Sequence, residues 1–445
     1  MKLIGKMSYP RVIALTVIGV ILAGTVLLCL PVSARALRPT PFVDALFTAV
    51  SATCVTGLIV YDTWSHWSIF GQLVILTMIQ IGGIGLMTIL TTFSVFMKRH
   101  IGLRERQILV QSAGSDRMNG VVKLILRIIR GTILFEGVGF LVLATRMVPV
   151  FGLGRGLYTA LFLSVSAFCN AGFDVLGDFR GGSSLSAFNG DPVVLVTIGL
   201  LIAIGGIGFL IWSDIAMYHG RFGRYSLTSK LGLTTAALLL ALGMVFFFVS
   251  ERDASMAGME LPQRLANAFF ASATPRTAGY ASIDYLTMSE PGKAMTMILM
   301  FIGGNSGSTA GGIKTTTFAV LVLSAMAMAR GQRHTTAFRR EIAADICKLA
   351  GCVVTIYLVA MLAASMTICA LEGITMEESL FECVSAIGTV GLTLDLTRGL
   401  GTASKLILCC LMFGGRIGGM SMMLVLAEKR PGAALKRPEE KVLVG

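Results

Sequence analysis

Four short segments of the chain share one design. They read SATCVTGL (Ser51 to Leu58), SAFCNAGF (Ser166 to Phe173), SATPRTAGY (Ser272 to Tyr280) and SAIGTVGLT (Ser385 to Thr393). Each sets Ser-Ala six or seven residues before a glycine: Gly57, Gly172, Gly279 or Gly391. These glycines lie 115, 107 and 112 positions apart in a chain of 445 residues. The chain therefore reads as four diverged copies of one unit. Four related glycines can meet on one axis, where backbone carbonyls can replace the water around a single ion.

Each unit begins with an apolar run long enough to cross a bilayer, which takes about 20 residues. These runs are residues 12–30, 124–148, 230–249 and 346–370. A second, shorter segment follows: 41–53, 157–168, 261–274 and 376–387. It is too short to span and too apolar for a surface loop, so the pattern predicts a re-entrant half-helix. Pro41, Asp44, Pro262, Glu377 and Glu378 suit the start of such a helix. Its partially negative C-terminal end then points at the glycine, where a cation is stabilised. A second span closes each unit: 70–96, 192–218, 292–328 and 403–426. Each carries a Gly-Gly pair, at 82–83, 205–206, 303–304 and 414–415. Small residues of this kind let helix backbones approach closely.

Composition agrees with a bilayer as solvent. Charged residues are 14% and hydrophobic residues 55%, against about 25% charge in a soluble domain. The net charge of +13 does not read as a nucleic-acid footprint, because basic residues concentrate in the loops after the second spans. These hold Lys98, Arg99, Arg104 and Arg106, then Arg221, Arg224 and Lys230. Arg330, Arg333, Arg339 and Arg340 follow, then Lys429, Arg430, Lys436 and Arg437 in the tail. The positive-inside rule places those loops and both termini in the cytoplasm. The glycine segments then face outward beside Asp62, Asp174, Asp178, Asp191, Asp284, Glu290 and Asp395, a surface that favours cations. Lys2, Lys6 and Val32-Ser33-Ala34 around the first run resemble a secretory signal. The run is longer than a signal core and fills the first-helix slot of the first unit.

Non-helical backbone at membrane depth must line water or be buried in protein. A pore meets that condition for all four turns at once. The candidate filter is Val55-Thr56-Gly57, Asn170-Ala171-Gly172, Thr277-Ala278-Gly279 and Thr389-Val390-Gly391. The last opens like the TVGYG loop of potassium channels. Where that loop has its second glycine, this chain has Ile59, Asp174, Ala281 and Thr393. One good coordination level is expected, for K+ at Gly57, Gly172, Gly279 and Gly391.

These motifs resemble the Trk/Ktr/HKT superfamily of potassium and sodium transporters, and most of all the membrane subunits of Ktr systems. Thr274-Pro275-Arg276-Thr277-Ala278-Gly279, Gly388-Thr389-Val390-Gly391-Leu392 and Gly415-Arg416 carry the resemblance, which covers residues 10–430. It implies an all-α membrane protein of eight transmembrane helices and four half-helices about a pseudo-fourfold axis. The units fall at 1–105, 106–225, 226–335 and 336–430, with a cytoplasmic tail at 431–445. The third closing helix is interrupted by Gly303, Gly304, Asn305, Ser306, Gly307, Ser308, Thr309, Ala310, Gly311 and Gly312. In the family this loop is the gate. Lys314 and Arg416 are its associated charges. Arg276 is read as bracing the filter backbone, with Glu382 as its candidate partner. Glu136 is a further buried charge whose partner the sequence does not name. Cys54 and Cys169 stand where relatives often have threonine or asparagine, which puts the polarity of the outer vestibule in question.

The expected function is potassium-selective translocation across the cell inner (plasma) membrane by a multi-pass protein. The alternative is a sodium-permeable or gradient-coupled secondary transporter. The resemblance implies a homodimer, a cytosolic KtrA-like ring of nucleotide-binding regulators and stimulation by Na+. No paired carboxylates, HExxH, metal-ligand spacing or nucleophile motif is present, so an enzyme is not expected. Without a nucleotide-binding fingerprint, no organic cofactor is expected in this chain.

Overall fold

The computed structural model describes residues 9–85, 121–177, 179 and 184–418. Every unit opens with a long apolar helix: α1 (Tyr9–Cys29), α4 (Val121–Phe151), α8 (Leu227–Ser250) and α12 (Ala344–Glu372). All four are long and apolar enough to cross a membrane. Their outward faces are apolar: Val26, Leu134, Val245 and Val359 are each at least 60% exposed. Pro149 closes α4, and Gly152 (φ 79°) turns the chain into the next helix.

A half-helix then packs back against each long helix: α2 (Phe42–Cys54), α5 (Leu153–Phe168), α9 (Leu261–Ala273) and α13 (Met376–Gly388). Two of the four starts carry side-chain caps. Asp44 lies in the first turn of α2, and Glu260 with Gln263, and Thr375 with Glu378, form capping boxes on α9 and α13. Phe47, Phe162, Phe270 and Phe381 fill equivalent positions, all fully buried. The half-helices are thus the core of the molecule, and the long helices surround them.

The closing helices depart from expectation. The sequence suggested one broken helix, in the third unit, and three continuous spans. The structure breaks the second as well as the third, and in the first and fourth the described helix stops at a glycine. The closing helices are α3 (Ile69–Ile84), α6 (Pro192–Ile207) followed by α7 (Phe209–Tyr218), α10 (Glu290–Phe301) followed by α11 (Thr315–Ala329), and α14 (Thr402–Ile417). The first, second and fourth stop at Gly85 (φ 90°), Gly208 (φ 102°) and Gly418 (φ 85°). Only glycine adopts that backbone readily. At Gly208 the helix axis turns by 89°. The remainders expected at 86–96 and 419–426, and the tail at 431–445, lie outside the described residues. A two-stranded hairpin, β1 (Thr335–Ala337) and β2 (Arg340–Ile342), joins the third and fourth units.

The units meet at four seams of similar design. The fourth residue of a closing helix reaches the next unit's half-helix in three of them. Gln72 accepts from the Tyr158 hydroxyl at 2.9 Å, Lys293 lies 3.5 Å from Glu377, and Lys405 donates to Asp44 at 2.8 Å. At the remaining seam Asn267 donates to the Asn189 carbonyl at 2.8 Å. The Lys405–Asp44 pair joins the last unit to the first and closes the ring.

Candidate functional site

The four glycines converge. A Cβ added to Gly57 would sit 2.7 Å from the carbonyl oxygen of Ala171. One on Gly172 would sit 2.6 Å from that of Ala278, and one on Gly279 2.2 Å from that of Val390. One on Gly391 would sit 2.1 Å from that of Thr56, which completes the circle. Each glycine therefore abuts the carbonyl that precedes the next. All four have φ between 70° and 97°, and the residues two before them, Val55, Asn170, Thr277 and Thr389, have φ between 52° and 71°. A left-handed non-glycine residue costs about 1–2 kcal/mol. The same cost recurs in four units, so the fold imposes this path.

Serine or threonine holds each turn. The amide hydrogens of Thr56, Ala171 and Val390 donate to the carbonyls of Ser51, Ser166 and Ser385, all at 2.8 Å. Ser51 and Ser385 also accept from the N–H of Gly57 and Gly391 through their hydroxyls. In the third unit the equivalent residue is Thr274, not Ser272. Its carbonyl accepts from Ala278 at 3.0 Å and its hydroxyl donates to the Tyr280 carbonyl, as Ser166 does to Phe173. Matching Ser-Ala by letter misplaces this unit, because its turn is one residue shorter.

The Gly-Gly pairs seat these turns. A Cβ on Gly82, Gly205 or Gly415 would fall 2.1 Å from the carbonyl of Thr53, Phe168 or Ile387, each four residues before a filter glycine. The closing helix thus lies directly on the end of a half-helix. On the other side of the ring a cavity of about 610 Å³ opens above Gly57, Gly172, Gly279 and Gly391. Asp62, Asp174, Asp284 and Asp395, one from each unit, line it with Arg398. Cys54 and Cys169 are fully buried and take no part in that lining. Burial, with the charge of Asp62 adding to it, pushes the Asp174 carboxyl up to about 6, against the Leu176 N–H that favours the charged form.

The loop from Gly303 to Gly312 lies on the opposite side. Its ends are zipped: Gly303 donates to the Ile313 carbonyl at 2.8 Å, and the Thr315 hydroxyl to that of Gly303 at 2.9 Å. Between them the loop presses on the base of the ring. A Cβ on Gly311 would meet the Thr389 side chain, and one on Gly303 that of Thr277. Asn305 and Gly312 donate to the carbonyls of Gly206 and Gly415. Arg416 donates to the Thr309 carbonyl in the loop and to the Gly82 carbonyl in the first unit. Lys314 donates to the Ala310 carbonyl at 2.7 Å.

The family description "TrkH: Cation transport protein" matches residues 13–437. The chain belongs to that family. It is 42% identical to the potassium/sodium uptake protein NtpJ of Enterococcus hirae, over 99% of this chain and 98% of that one. It is 39% identical to the Ktr system potassium uptake protein B of Bacillus subtilis, over 99% and 97%. The crystal structure of TrkH from Vibrio parahaemolyticus has the same fold, with a TM-score of 0.76 at 14% identity over 95% of this chain and 86% of that one. The protein is a Trk/Ktr cation transporter, a multi-pass membrane protein and not an enzyme.

Within this transporter the expected partnership of Arg276 and Glu382 does not form. Arg276 donates to the Ala236 carbonyl at 3.1 Å and to the Thr315 hydroxyl at 3.4 Å, so it ties the third turn to α8 and to the helix after the loop. Glu382 accepts instead from the hydroxyls of Thr393 and Thr397, behind the outer return of the fourth turn. The two brace different segments. Glu136 finds its partner in Gln80 of the first unit. Tyr280, which the motif reading passed over, is fully buried and donates to the Phe173 carbonyl at 3.1 Å, linking the third turn to the second.

Proposed function

We propose that this transporter conducts K+ through the ring formed by Gly57, Gly172, Gly279 and Gly391, and that the 303–312 loop is its gate. The cyclic abutment of each glycine on the next unit's carbonyl is the observation that carries the reading. Carbonyl oxygens hold a dehydrated cation without fixed charge, so the ion can leave again. The buried Thr389 hydroxyl has no hydrogen-bond partner and offers a further oxygen at the base of the ring. The four vestibule carboxylates raise the local cation concentration above it. The loop blocks the opposite exit, and Arg416 and Lys314 hold it by carbonyl bonds.

In this reading the chain is the pore subunit of a Ktr-type system in the cell inner membrane, with basic loops and termini in the cytoplasm. It works as a homodimer on a KtrA-like ring of nucleotide-binding regulators and responds to Na+. The exposed Arg221, Arg224, Arg330, Arg333, Arg339 and Arg340 around the hairpin supply a basic docking face for that ring. The four repeats are taken as units at 1–105, 106–225, 226–335 and 336–430. A second reading, a sodium-permeable transporter, is favoured by the name of the E. hirae relative, which couples potassium with sodium.

Rubidium uptake into proteoliposomes separates the two. Competition by K+ but not by Na+ is the expected result. Equal competition by both ions refutes K+ selectivity and leaves the sodium-permeable reading.

A further inference from the structure

Glu136 belongs to neither the ring, the vestibule nor the loop. It sits in α4 among lipid-facing residues: Ile133 and Leu134 are 66% and 61% exposed. A carboxylate at membrane depth is costly unless paired. Gln80 Nε2, from α3 of the first unit, donates to both its oxygens at 3.1 and 3.3 Å. The other end of the same amide, Gln80 Oε1, accepts from Cys169 Sγ at 3.3 Å. Cys169 is fully buried and immediately precedes Asn170, the left-handed residue that starts the second turn. The thiol packs on the bare backbone of Gly83, since a Cβ there would lie 2.7 Å from Sγ. With its amide oriented so that Nδ2 donates to the Ala167 and Ile202 carbonyls, Asn170 accepts from the Thr277 hydroxyl of the third turn at 3.2 Å. One polar line therefore runs from the lipid-side helix to two turns of the ring.

We propose that Glu136 is a positioning residue for ion selectivity, acting through Gln80 and Cys169 on the second turn. The proposal rests on the carbonyl ring being the filter. Its chemistry is the direction of the hydrogen bonds. Both carboxyl oxygens of Glu136 accept from Gln80 Nε2, so the acid holds the amide with its NH2 toward itself and its carbonyl toward the thiol. Without the acid the amide is free to flip and set NH2 against the thiol hydrogen. Cys169 then loses its fixed acceptor, and the spacing between the second turn and the first unit's closing helix loosens.

The test measures the preference for rubidium over sodium in proteoliposomes, and the melting temperature in nanodiscs, of purified Glu136→Leu, Gln80→Met, Cys169→Ala and Cys169→Ser. Glu136→Leu, Gln80→Met and Cys169→Ala should each lower the preference about fivefold, equivalent to about 1 kcal/mol, with uptake retained. Cys169→Ser keeps a donor for Gln80 and should stay within about twofold of the parent. Glu136→Leu removes a polar group from the lipid-side helix, so its melting temperature should hold or rise while selectivity falls; a merely structural role predicts the opposite pattern. The proposal is overturned if Glu136→Leu and Gln80→Met leave the preference unchanged, or if serine and alanine at Cys169 behave alike. Gly172→Ala runs beside them. If it lowers the preference and the relay variants do not, only the relay fails; if it too changes nothing, the filter reading falls and takes the relay with it.

Discussion

Alanine at Gly391 should be among the most damaging substitutions for ion binding. The new Cβ would stand 2.1 Å from the Thr56 carbonyl oxygen, where 3.4 Å is ordinary contact. Thr56 would have to retreat by about 1.3 Å, and that carbonyl is one of the four proposed to hold the ion. The left-handed φ of 97° adds about 1–2 kcal/mol of strain in the same turn. A contact between a carbonyl and a cation compares with a hydrogen bond to a charged group, roughly 1.5–3 kcal/mol. Losing one such contact weakens ion binding roughly ten- to a hundredfold. The ring also predicts an order. Gly279, with its added Cβ 2.2 Å from Val390, should behave like Gly391. Gly57 and Gly172, at 2.7 and 2.6 Å, should be milder.

Rubidium uptake as a function of concentration gives the apparent KM for each alanine variant, with folding checked by size exclusion. Gly351, in α12, is the control, because nothing lies within 4 Å of its would-be Cβ. A Gly391→Ala protein with the KM of Gly351→Ala would refute the ring as the ion site. So would an order in which Gly57 and Gly172 suffer more than Gly279 and Gly391.

Deleting residues 305–312, or replacing Arg416 with glutamine, should raise rubidium efflux about tenfold in the absence of any regulator, since each releases roughly 1.4 kcal/mol or more of carbonyl hydrogen bonding; parental efflux in both variants would end the gate assignment. Asp174 should lose its charge as pH falls through about 6. Across water a unit charge is worth less than the ~1 kcal/mol it would supply at contact, so the rubidium KM should rise about twofold from pH 7.5 to pH 5. Asp174→Asn should hold the higher KM at both pH values; a pH response that survives in that variant assigns the effect elsewhere. Lys405→Met leaves Asp44 without its cation in a pair whose side chains are only 12% and 13% exposed. Breaking such a pair costs roughly 3 kcal/mol, read as a lowered melting temperature in detergent that Asp44→Asn partly restores. An unaltered melting temperature would show that the first–fourth seam does not depend on it.

The fourfold plan was legible because glycine at a left-handed position cannot drift: Gly57, Gly172, Gly279 and Gly391 kept their spacing while their neighbours diverged. The half-helices were legible from length and apolarity together. Gly85, Gly208 and Gly418 were not, because glycine in a transmembrane helix usually serves packing and nothing local marks the one that ends it. Thr274 was hidden by a one-residue deletion that letter matching absorbs as an extra residue. The acceptors of Arg416 are backbone carbonyls, which carry no side-chain signature. The Gln80–Glu136 bond joins different units across 56 positions, and neither residue is rare enough to announce the other.

One asymmetry explains why four copies are fused rather than assembled from separate subunits. The ring needs four equivalent turns, and equal chains would supply them. The loop beneath needs the opposite. It lies across the base of the second, third and fourth turns, takes carbonyls from Gly206 and Gly415, and is tied through Arg416 to Gly82 of the first unit. Four copies of that ten-residue loop would compete for the same space on the axis. In the other three units the described part of the closing helix ends at a single glycine of positive φ, with no ten-residue insertion of this kind before it. Fusion lets the third unit alone carry Asn305 to Gly312, and the fourth alone carry Arg416, while all four keep the glycine that the ring requires. A proposed gate of this kind is available only to a chain whose repeats have been allowed to differ.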